Sequence, residues 1–268
     1  MINLSQEQLR KVQLTELELL KEVDRICKKC GIRYNIIAGT LLGAVRHKGF
    51  IPWDDDADVA FLRDEYEKFR KACEKELNHE KYYFQDHRNT KGYRWGYGKL
   101  RKKNTIFLRE NQEHMPYEQG VFIDIFPLDN VPENKILRII NNFHCFLIRK
   151  IFWSEVGKIT SSSKIKRVCF MTLNKMFGNR IYKHYDKLIK KLNRRPSKWV
   201  RTLAFPTANK QYGYLRRWYE TSQSIVFEDF MFDTMESYDE YLTFKFGDYM
   251  QLPPDKERKI HPVSNIVI

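Results

Sequence analysis

The sequence predicts an α/β (α+β) protein, with a mixed β-sheet core and an added basic helical region. Helix-like and strand-like segments alternate through residues 1–132 in the order α-β-α-β-α-β-β-β, which is typical of a mixed sheet covered by helices. Residues 133–204 combine helical spacing of apolar residues with an excess of lysine and arginine. Residues 205–268 are aromatic and rich in loops, so we expect this segment to pack back on the core.

Local signals place the individual elements. Ser5 and Gln8 have the spacing of a capping box, and apolar residues then recur at helical spacing as far as Gly31, which ends the first helix. The residues after Gly31 predict a strand at 33–37, a turn at 38–40 and one or two helical turns at 41–45. The remaining predicted strands of this order cover 56–61, 82–85, 93–100 and 121–126, with 105–108 as an additional candidate strand. The remaining predicted helices cover 64–77, 136–156, 164–177 and 181–192.

The charge of the chain favours a negatively charged partner. The 268 residues have a formal net charge of +14. Such a charge attracts nucleic acid, anionic lipid or phosphorylated substrates, and does not by itself choose among them. The first residues are polar, and no apolar run reaches the roughly 18 residues of a membrane-spanning helix. We therefore expect a cytoplasmic protein and leave open a peripheral contact with the inner leaflet of the membrane.

Two aspartates carry the clearest chemical signal. Asp56 and Asp58 alternate with Ala57 and Val59 in a strand-like pattern, so both carboxylates point to one face and the apolar side chains to the other. Like charges on one face repel unless a cation neutralises them, and carboxylate oxygens favour Mg²⁺ or Mn²⁺. An exposed acidic turn is the alternative interpretation, and the apolar opposite face argues against it.

Asp124 and a glycine–threonine turn extend this pattern towards phosphoryl transfer. Asp124 stands alone in an apolar strand-like run, where an unpaired carboxylate is costly. It therefore either pairs with a basic residue or completes a catalytic metal site with Asp56 and Asp58. Gly39 allows the backbone to approach a phosphate closely, and Thr40 adds a hydroxyl near a predicted helix start.

Further residues are candidates for substrate binding. Basic side chains can clamp phosphate, and aromatic rings can surround a quaternary ammonium group, although ordinary core packing is an equally good interpretation of the aromatic residues. The two aspartates before the strand can cap, pair with an arginine or hold a metal through water. The candidates are Arg46, Lys99 and Arg101 for phosphate, Trp53, Trp95 and Tyr97 for the ammonium group, Asp54 and Asp55 in the preceding loop, and His261 near the C-terminus.

These motifs resemble the LicD family of phosphocholine transferases. Residues 39–43 (GTLLG, ending in Gly43) with Arg46, followed by residues 51–58 (IPWDDDAD), are similar to the signature of the family. Residues 246–250 (FGDYM), residues 252–254 (LPP) and His261 are similar to its C-terminal segment. Ala57 departs from the larger aliphatic residue that is commoner in the family. It faces away from the metal, so the difference concerns packing.

The resemblance implies a nucleotidyltransferase-like fold, with Mg²⁺ as cofactor and CDP-choline as donor. It implies transfer of phosphocholine to a sugar hydroxyl of a bacterial surface glycan, either teichoic acid or lipopolysaccharide, with release of CMP. Asp56 and Asp58 match the paired aspartates of the family. Asp124 matches its third acidic position, which would bind the metal or deprotonate the acceptor hydroxyl. The acceptor would be an anionic or lipid-linked glycan.

Three other functions stay open on the sequence. The LicD core is shared with fukutin-like proteins that transfer ribitol phosphate, so CDP-ribitol is an alternative donor. A nucleotidyltransferase that uses a nucleoside triphosphate, such as an antibiotic-modifying enzyme, would release pyrophosphate. The charge of +14 also allows a nucleic-acid-binding module with a decayed site. The sequence has no helix-turn-helix, zinc-finger or RNP signature, so we expect no nucleic acid partner.

Overall fold

The computed structural model describes residues 4–207, 209–258 and 261–268, in which seven α-helices and eleven β-strands alternate. The helices are α1 (Gln6–Cys30), α2 (Ala38–His47), α3 (Arg63–Glu76), α4 (Lys135–Thr160), α5 (Lys164–Phe177), α6 (Arg180–Leu192) and α7 (Tyr238–Phe246). The strands are β1 (Asn35–Ile36), β2 (Asp58–Leu62), β3 (Tyr82–Gln85), β4 (Gly98–Lys102), β5 (Ile106–Arg109), β6 (Phe122–Asn130), β7 (Trp199–Arg201), β8 (Tyr214–Leu215), β9 (Gln223–Phe227), β10 (Phe230–Thr234) and β11 (Val263–Val267). The predicted fold class is confirmed.

The first helix begins and ends at the residues that the sequence predicts. The Ser5 hydroxyl accepts the backbone N–H of Gln8 at 3.1 Å, and the Gln8 side chain accepts the backbone N–H of Ser5 at 3.0 Å. Gly31 ends the helix in the left-handed region at φ 62°, where its N–H donates to the carbonyl of Cys27. The buried face of α1 contributes Leu20 and Val23 to the main core.

The register of the main sheet brings charged side chains together. Its strand order is β1-β2-β6-β4-β3, and β7 pairs with the far end of β6. β2 and β6 are parallel, and their register sets Asp58 opposite Asp124. β4 is antiparallel to β6 and sets Lys99 opposite the same Asp124. Two carboxylates and one ammonium group are therefore neighbours across three adjacent strands.

Two predicted local structures are wrong near the site. The predicted turn at 38–40 is the first turn of α2. The predicted strand at 93–100 begins only at Gly98, because the preceding residues pack against helices rather than a strand. The guanidinium of Arg94 is buried and donates to the carbonyls of Ile151 and Phe152 at 3.0 and 3.3 Å, which draws this segment towards α4.

Asp129 lies inside β6, which continues through Pro127, although the predicted strand ends at residue 126. The N–H of Asp124 donates to the carbonyl of Ala57 in the segment leading into β2, so the nitrogen of Pro127 faces the opposite side of β6. On that side β4 ends its pairing at Ile125, and β7 begins at Asp129. The proline therefore falls in the gap between two partners, where its missing N–H costs no ladder hydrogen bond.

The basic helical region forms the three helices that the sequence predicts. α4 and α6 enclose a second apolar core, which includes Cys145, Phe152 and Tyr185. α5 packs against α4 and has no buried residue. No helix in the described ranges is long and apolar enough to cross a membrane.

The C-terminal segment contacts the rest of the protein at several places. The β9–β10 hairpin places Phe227 and Phe232 in the main core, where Phe227 packs edge-on against Phe50 with ring centroids 4.8 Å apart. β11 pairs antiparallel with β5. The division of the chain at residues 132 and 204 stays a prediction.

A buried ion pair joins three elements of the fold. Arg63 of α3 donates to both carboxylate oxygens of Asp129 in β6, at 2.6 and 2.7 Å, and both side chains are buried. Asn193, just after α6, donates to the same carboxylate at 2.7 Å. The Asp129 carboxylate thus links β6 to α3, which precedes it in the chain, and to the end of α6, which follows it.

We expect Asp129→Ala to lower the free energy of unfolding by about 3 kcal/mol, because the buried Arg63 would lose its main counter-charge. Urea denaturation followed by circular dichroism measures this change. Glu74→Ala removes a surface pair with Arg70 and is the control, with a much smaller expected effect. Equal losses in the two variants would contradict a special contribution of the buried pair.

Candidate active site

Three carboxylates gather where β2 and β6 begin. Asp58 and Asp124 are neighbours across the two strands, and Asp56 precedes β2. Burial raises the pKa of Asp58 well above its usual value, and the charges of Asp56 and Asp124 raise it further. Burial also raises the pKa of Asp56, with Asp124 adding to the rise and His261 opposing it. These carboxylates therefore repel one another in a poorly solvated place.

The motif at the start of α2 shapes the loop that carries these aspartates. A Cβ atom on Gly39 would lie 2.7 Å from the Asp54 carboxylate, so only glycine leaves room for that side chain. The hydroxyl of Thr40 accepts the backbone N–H of Asp58 at 2.8 Å. A Cβ on Gly43 would lie 2.4 Å from a loop carbonyl. Their predicted contacts with substrate stay predictions, and their observed contacts are with the loop.

Asp54 and Asp55 behave differently although they are adjacent. Burial, with the charges of Asp56 and Asp55, raises the pKa of Asp54 to about 8. Asp55 is fully buried and receives Arg109 at 2.7 Å and the His261 ring at 2.8 Å. Burial alone would raise the pKa of Asp55, but the hydrogen bond from His261 and the charge of Arg109 hold it below its usual value. Asp55 is therefore an anchor that ties the loop to β5 and to the C-terminal segment.

Lys99 forms a buried ion pair with one carboxylate oxygen of Asp124. Its ammonium group also lies 3.3 Å from the centroid of the Phe122 ring. Burial lowers the pKa of Lys99 to about 8, although Asp124 opposes this change. The sequence left open whether Asp124 pairs with a basic residue or joins the other carboxylates. In the fold it does both, because it pairs with Lys99 and lies beside Asp58.

Two of the three carboxylates, Asp56 and Asp124, line a cavity of about 310 Å³ with cationic and aromatic walls, whereas Asp58 lines a separate cavity of about 90 Å³. A further cavity of about 270 Å³ adjoins the first, because Trp95, Tyr97, Trp153 and Phe205 line both. Such walls suit a ligand that carries phosphate and a cationic group. The charged lining of the first cavity consists of Asp56, Lys99, Arg101, Arg109, Glu110, Asp124 and His261.

Two predicted substrate contacts lie elsewhere. The guanidinium of Arg46 donates to the backbone carbonyl of Tyr249 at 3.1 Å, so it holds the C-terminal segment. The guanidinium of Arg258 lies 4.3 Å from the centroid of the Trp53 ring. Neither Arg46 nor Trp53 lines the two adjoining cavities in the described part of the protein. Their roles in substrate binding stay predictions.

The donor chemistry of the cluster suits a hard divalent cation. Within the described residues, no group of three or more His, Cys, Asp or Glu side chains is already arranged around a metal position. The negative charge of Asp124 nevertheless raises the pKa of both Asp56 and Asp58, so the three carboxylates act on one another. A bound Mg²⁺ or Mn²⁺ would offset this repulsion, and carboxylate oxygens are its preferred protein ligands.

Sequence reasoning missed two charged residues beside the cluster. Glu16 of α1 is fully buried, and neither carboxylate oxygen has a hydrogen-bond partner among the residues described. Burial and the charge of Asp56 raise its pKa well above the usual value. A glutamate on the apolar face of a helix is a signal that could have revealed it. The second missed residue is Arg109, the last residue of β5, which pairs with Asp55. The sequence around it has no pattern that predicts this contact.

Known proteins resemble this chain, one of them over nearly its whole length. Residues 31–145 match the sequence profile described as LicD/FKTN/FKRP, nucleotidyltransferase domain. The chain is 31% identical to the lipopolysaccharide cholinephosphotransferase LicD of Haemophilus influenzae, over 97% of this chain and 98% of that protein. An uncharacterized protein of Rickettsia prowazekii is 40% identical over 70 residues, which cover 24% of this chain and 26% of that protein.

We expect Asp58→Asn and Asp55→Asn to change stability in opposite directions. Asp58→Asn should raise the free energy of unfolding by about 1 kcal/mol in EDTA, because it removes one of several repelling carboxylates. Asp55→Asn should lower it by about 2 kcal/mol, because Arg109 and His261 lose their charged partner. Chemical denaturation at neutral pH measures both. A shift of the same sign in both variants would refute the distinction.

The raised pKa values also predict a pH dependence of stability. The folded protein holds protons on Asp54 and Asp58 more tightly than the unfolded chain does. The free energy of unfolding in EDTA should therefore fall as pH rises from about 4, the ordinary pKa of aspartate, to about 8. Denaturation across this range measures the fall, which should be smaller in Asp58→Asn. An equal fall in both proteins would contradict the assignment.

Proposed function

The chain belongs to the LicD family, and on this premise we propose that it transfers phosphocholine from CDP-choline to a sugar hydroxyl of a bacterial surface glycan, with release of CMP. The observation that supports this most directly is that Asp56 and Asp124 of the carboxylate cluster line a cavity with both cationic and aromatic walls. The name of the Haemophilus relative makes lipopolysaccharide the first acceptor to test, with teichoic acid second.

The donor would lie in the cavity with its diphosphate towards the basic side chains. Lys99, Arg101 and Arg109 supply positive charge there. The trimethylammonium group would contact aromatic faces, which attract quaternary ammonium ions. Trp95 and Trp153 offer such faces, with ring centroids 5.7 Å apart and planes tilted by 44°.

Asp56, Asp58 and Asp124 would hold Mg²⁺, or Mn²⁺ in its place. When bound, the ion would neutralise negative charge on the diphosphate and on the departing CMP. Asp124 would also accept the proton of the acceptor hydroxyl, and its ion pair with Lys99 would fix its orientation. The hydroxyl oxygen would attack the phosphorus that carries choline, and the bond from that phosphorus to the oxygen of CMP would break.

The acceptor would approach through the adjoining cavity. Arg149 and Lys150 line that cavity, so they favour an anionic glycan. A lipid-linked acceptor would bring the protein to a membrane, and a nucleotide donor would place the reaction on the cytoplasmic side, at the inner leaflet.

Purified protein with Mg²⁺, CDP-choline and choline-free lipopolysaccharide should release CMP, measured by chromatography. We expect Asp58→Asn to slow this release at least about 100-fold, because it removes preorganised charge from the reacting centre. Asp64→Asn removes an exposed carboxylate at the start of α3 and is the matched control, which should keep full activity.

The choice of donor and acceptor decides between the alternatives. Release of CMP from CDP-ribitol and not from CDP-choline would transfer the assignment to ribitol phosphate. Pyrophosphate from a nucleoside triphosphate would indicate nucleotidyl transfer. CMP release that does not depend on either glycan would indicate hydrolysis instead of transfer.

A further inference from the structure

More than half of the exposed large apolar side chains in the described ranges lie on two helices of the basic region. Among the described residues, 24 large apolar side chains are exposed, and 14 of them lie between residues 136 and 177. Single exposed apolar residues are ordinary on a soluble protein, whereas a concentration of them marks a binding surface. The exposed apolar side chains of α4 and α5 therefore indicate a binding surface.

α5 is amphipathic, yet its apolar face is turned outwards. Ile165, Val168 and Met176 fall within one face at 100° per residue, and Ile165 is 78% exposed. The opposite face holds the helix to α4, where the ring of Phe170 covers Gly157. The side of α5 that would normally be polar is thus apolar.

The first half of α4 repeats this arrangement. Ile136, Ile140, Phe143 and Leu147 recur at spacings of four, three and four residues and are all exposed. Buried residues such as Cys145 lie on the opposite face, in the second apolar core. This part of α4 is therefore apolar both towards the core and towards the outside.

The charge around these faces is strongly positive. Residues 135–177 contain nine basic residues and a single acidic one, Glu155. Apolar side chains flanked by lysine and arginine are typical of helices that lie in the interface of an anionic membrane, where the basic side chains are attracted to the lipid phosphates. The basic residues are Lys135, Arg149, Lys150, Lys158, Lys164, Lys166, Arg167 and Lys175, together with Arg138, which is buried and does not reach the surface.

We propose that α5 and the first half of α4 form a docking surface for an anionic phospholipid bilayer. The exposed apolar side chains enter the boundary between headgroups and acyl chains, and the surrounding basic side chains contact the phosphates. α6 also carries many lysines, but its apolar side chains, such as Tyr185 and Leu188, are buried in the second core. The charge of α6 is therefore a solvated face, and α6 serves as an internal control.

The helix that carries part of the docking surface also lines the candidate active site. Trp153 of α4 is 37% exposed and lines both adjoining cavities, and Arg149 and Lys150 line the second. Docking through α4 would hold these cavities close to the bilayer, where the sugar of a lipid-linked acceptor lies. This consequence rests on the proposed function, whereas the docking itself does not.

Vesicle flotation of the full chain, without donor or acceptor, tests the proposal. The protein should bind vesicles of phosphatidylglycerol and phosphatidylcholine and not vesicles of phosphatidylcholine alone. A variant with Ile165, Val168 and Met176 each changed to Ser should lose at least about tenfold in partition coefficient. A variant with Lys164, Lys166 and Lys175 each changed to Gln should lose a similar factor, on the order of tenfold.

Matched variants away from the surface provide the controls. Val226→Ser with Met231→Ser removes two exposed apolar side chains from the β9–β10 hairpin. Lys183, Lys187 and Lys190 changed to Gln remove three exposed charges from α6. Both control proteins should bind vesicles as the unaltered protein does. CMP release with a delipidated glycan should be unchanged in the α5 variants, so a failure of transfer and a failure of docking are distinguishable.

Two results would overturn the proposal. One is the absence of binding to anionic vesicles, or an equal loss of binding in the control variants. The other is a dimer in analytical ultracentrifugation that the α5 serine variant dissociates, together with no vesicle binding, which would show that a second copy of the chain covers this surface.

Discussion

The parallel register of β2 and β6 is the constraint on which the site depends. It sets Asp58 beside Asp124 and so places like charges together where water is scarce. The rest of the fold must offset the free energy of this repulsion, because neither aspartate can move away without breaking the hydrogen bonds between β2 and β6. β4 offsets part of it by bringing Lys99 to Asp124. The rest remains on Asp56 and Asp58, whose pKa values stay raised, and a divalent cation bound there would offset it.

The C-terminal segment is part of this balance although it is distant in sequence. His261 contacts the buried Asp55, and the following strand pairs with β5, whose last residue, Arg109, contacts the same carboxylate. Asp55 thus receives the guanidinium of Arg109 and the ring of His261 from two elements, and its pKa is lowered, whereas the pKa values of Asp54, Asp56 and Asp58 are raised. The acidic loop therefore contains one structural anchor and several strained carboxylates within a few residues. The two kinds differ in their partners and not in residue type.

The parts of the fold that sequence predicts are those fixed by local spacing. The capping box at Ser5, the helices of the basic region and the strands that carry Asp58 and Asp124 all follow from periodicity over a few turns or residues. The missed features depend on distant partners. Pro127 continues a strand because of a gap between β4 and β7, and Arg109 reaches Asp55 across 54 positions. No local pattern contains that information.

α4 connects the chemistry to the surface that surrounds it. One face packs on α6 to form a core, the exposed face of its first half is apolar, and Trp153 in its second half forms a wall of the cavity beside Asp56 and Asp124. A helix that only supported the sheet would gain stability from a polar outer face. The exposed isoleucine and phenylalanine side chains lie beside an excess of basic residues, and a ligand bound to the outer face would account for both. Because Trp153 belongs to the same helix, a ligand that binds the outer face of α4 would also fix the orientation of the cavity relative to that ligand.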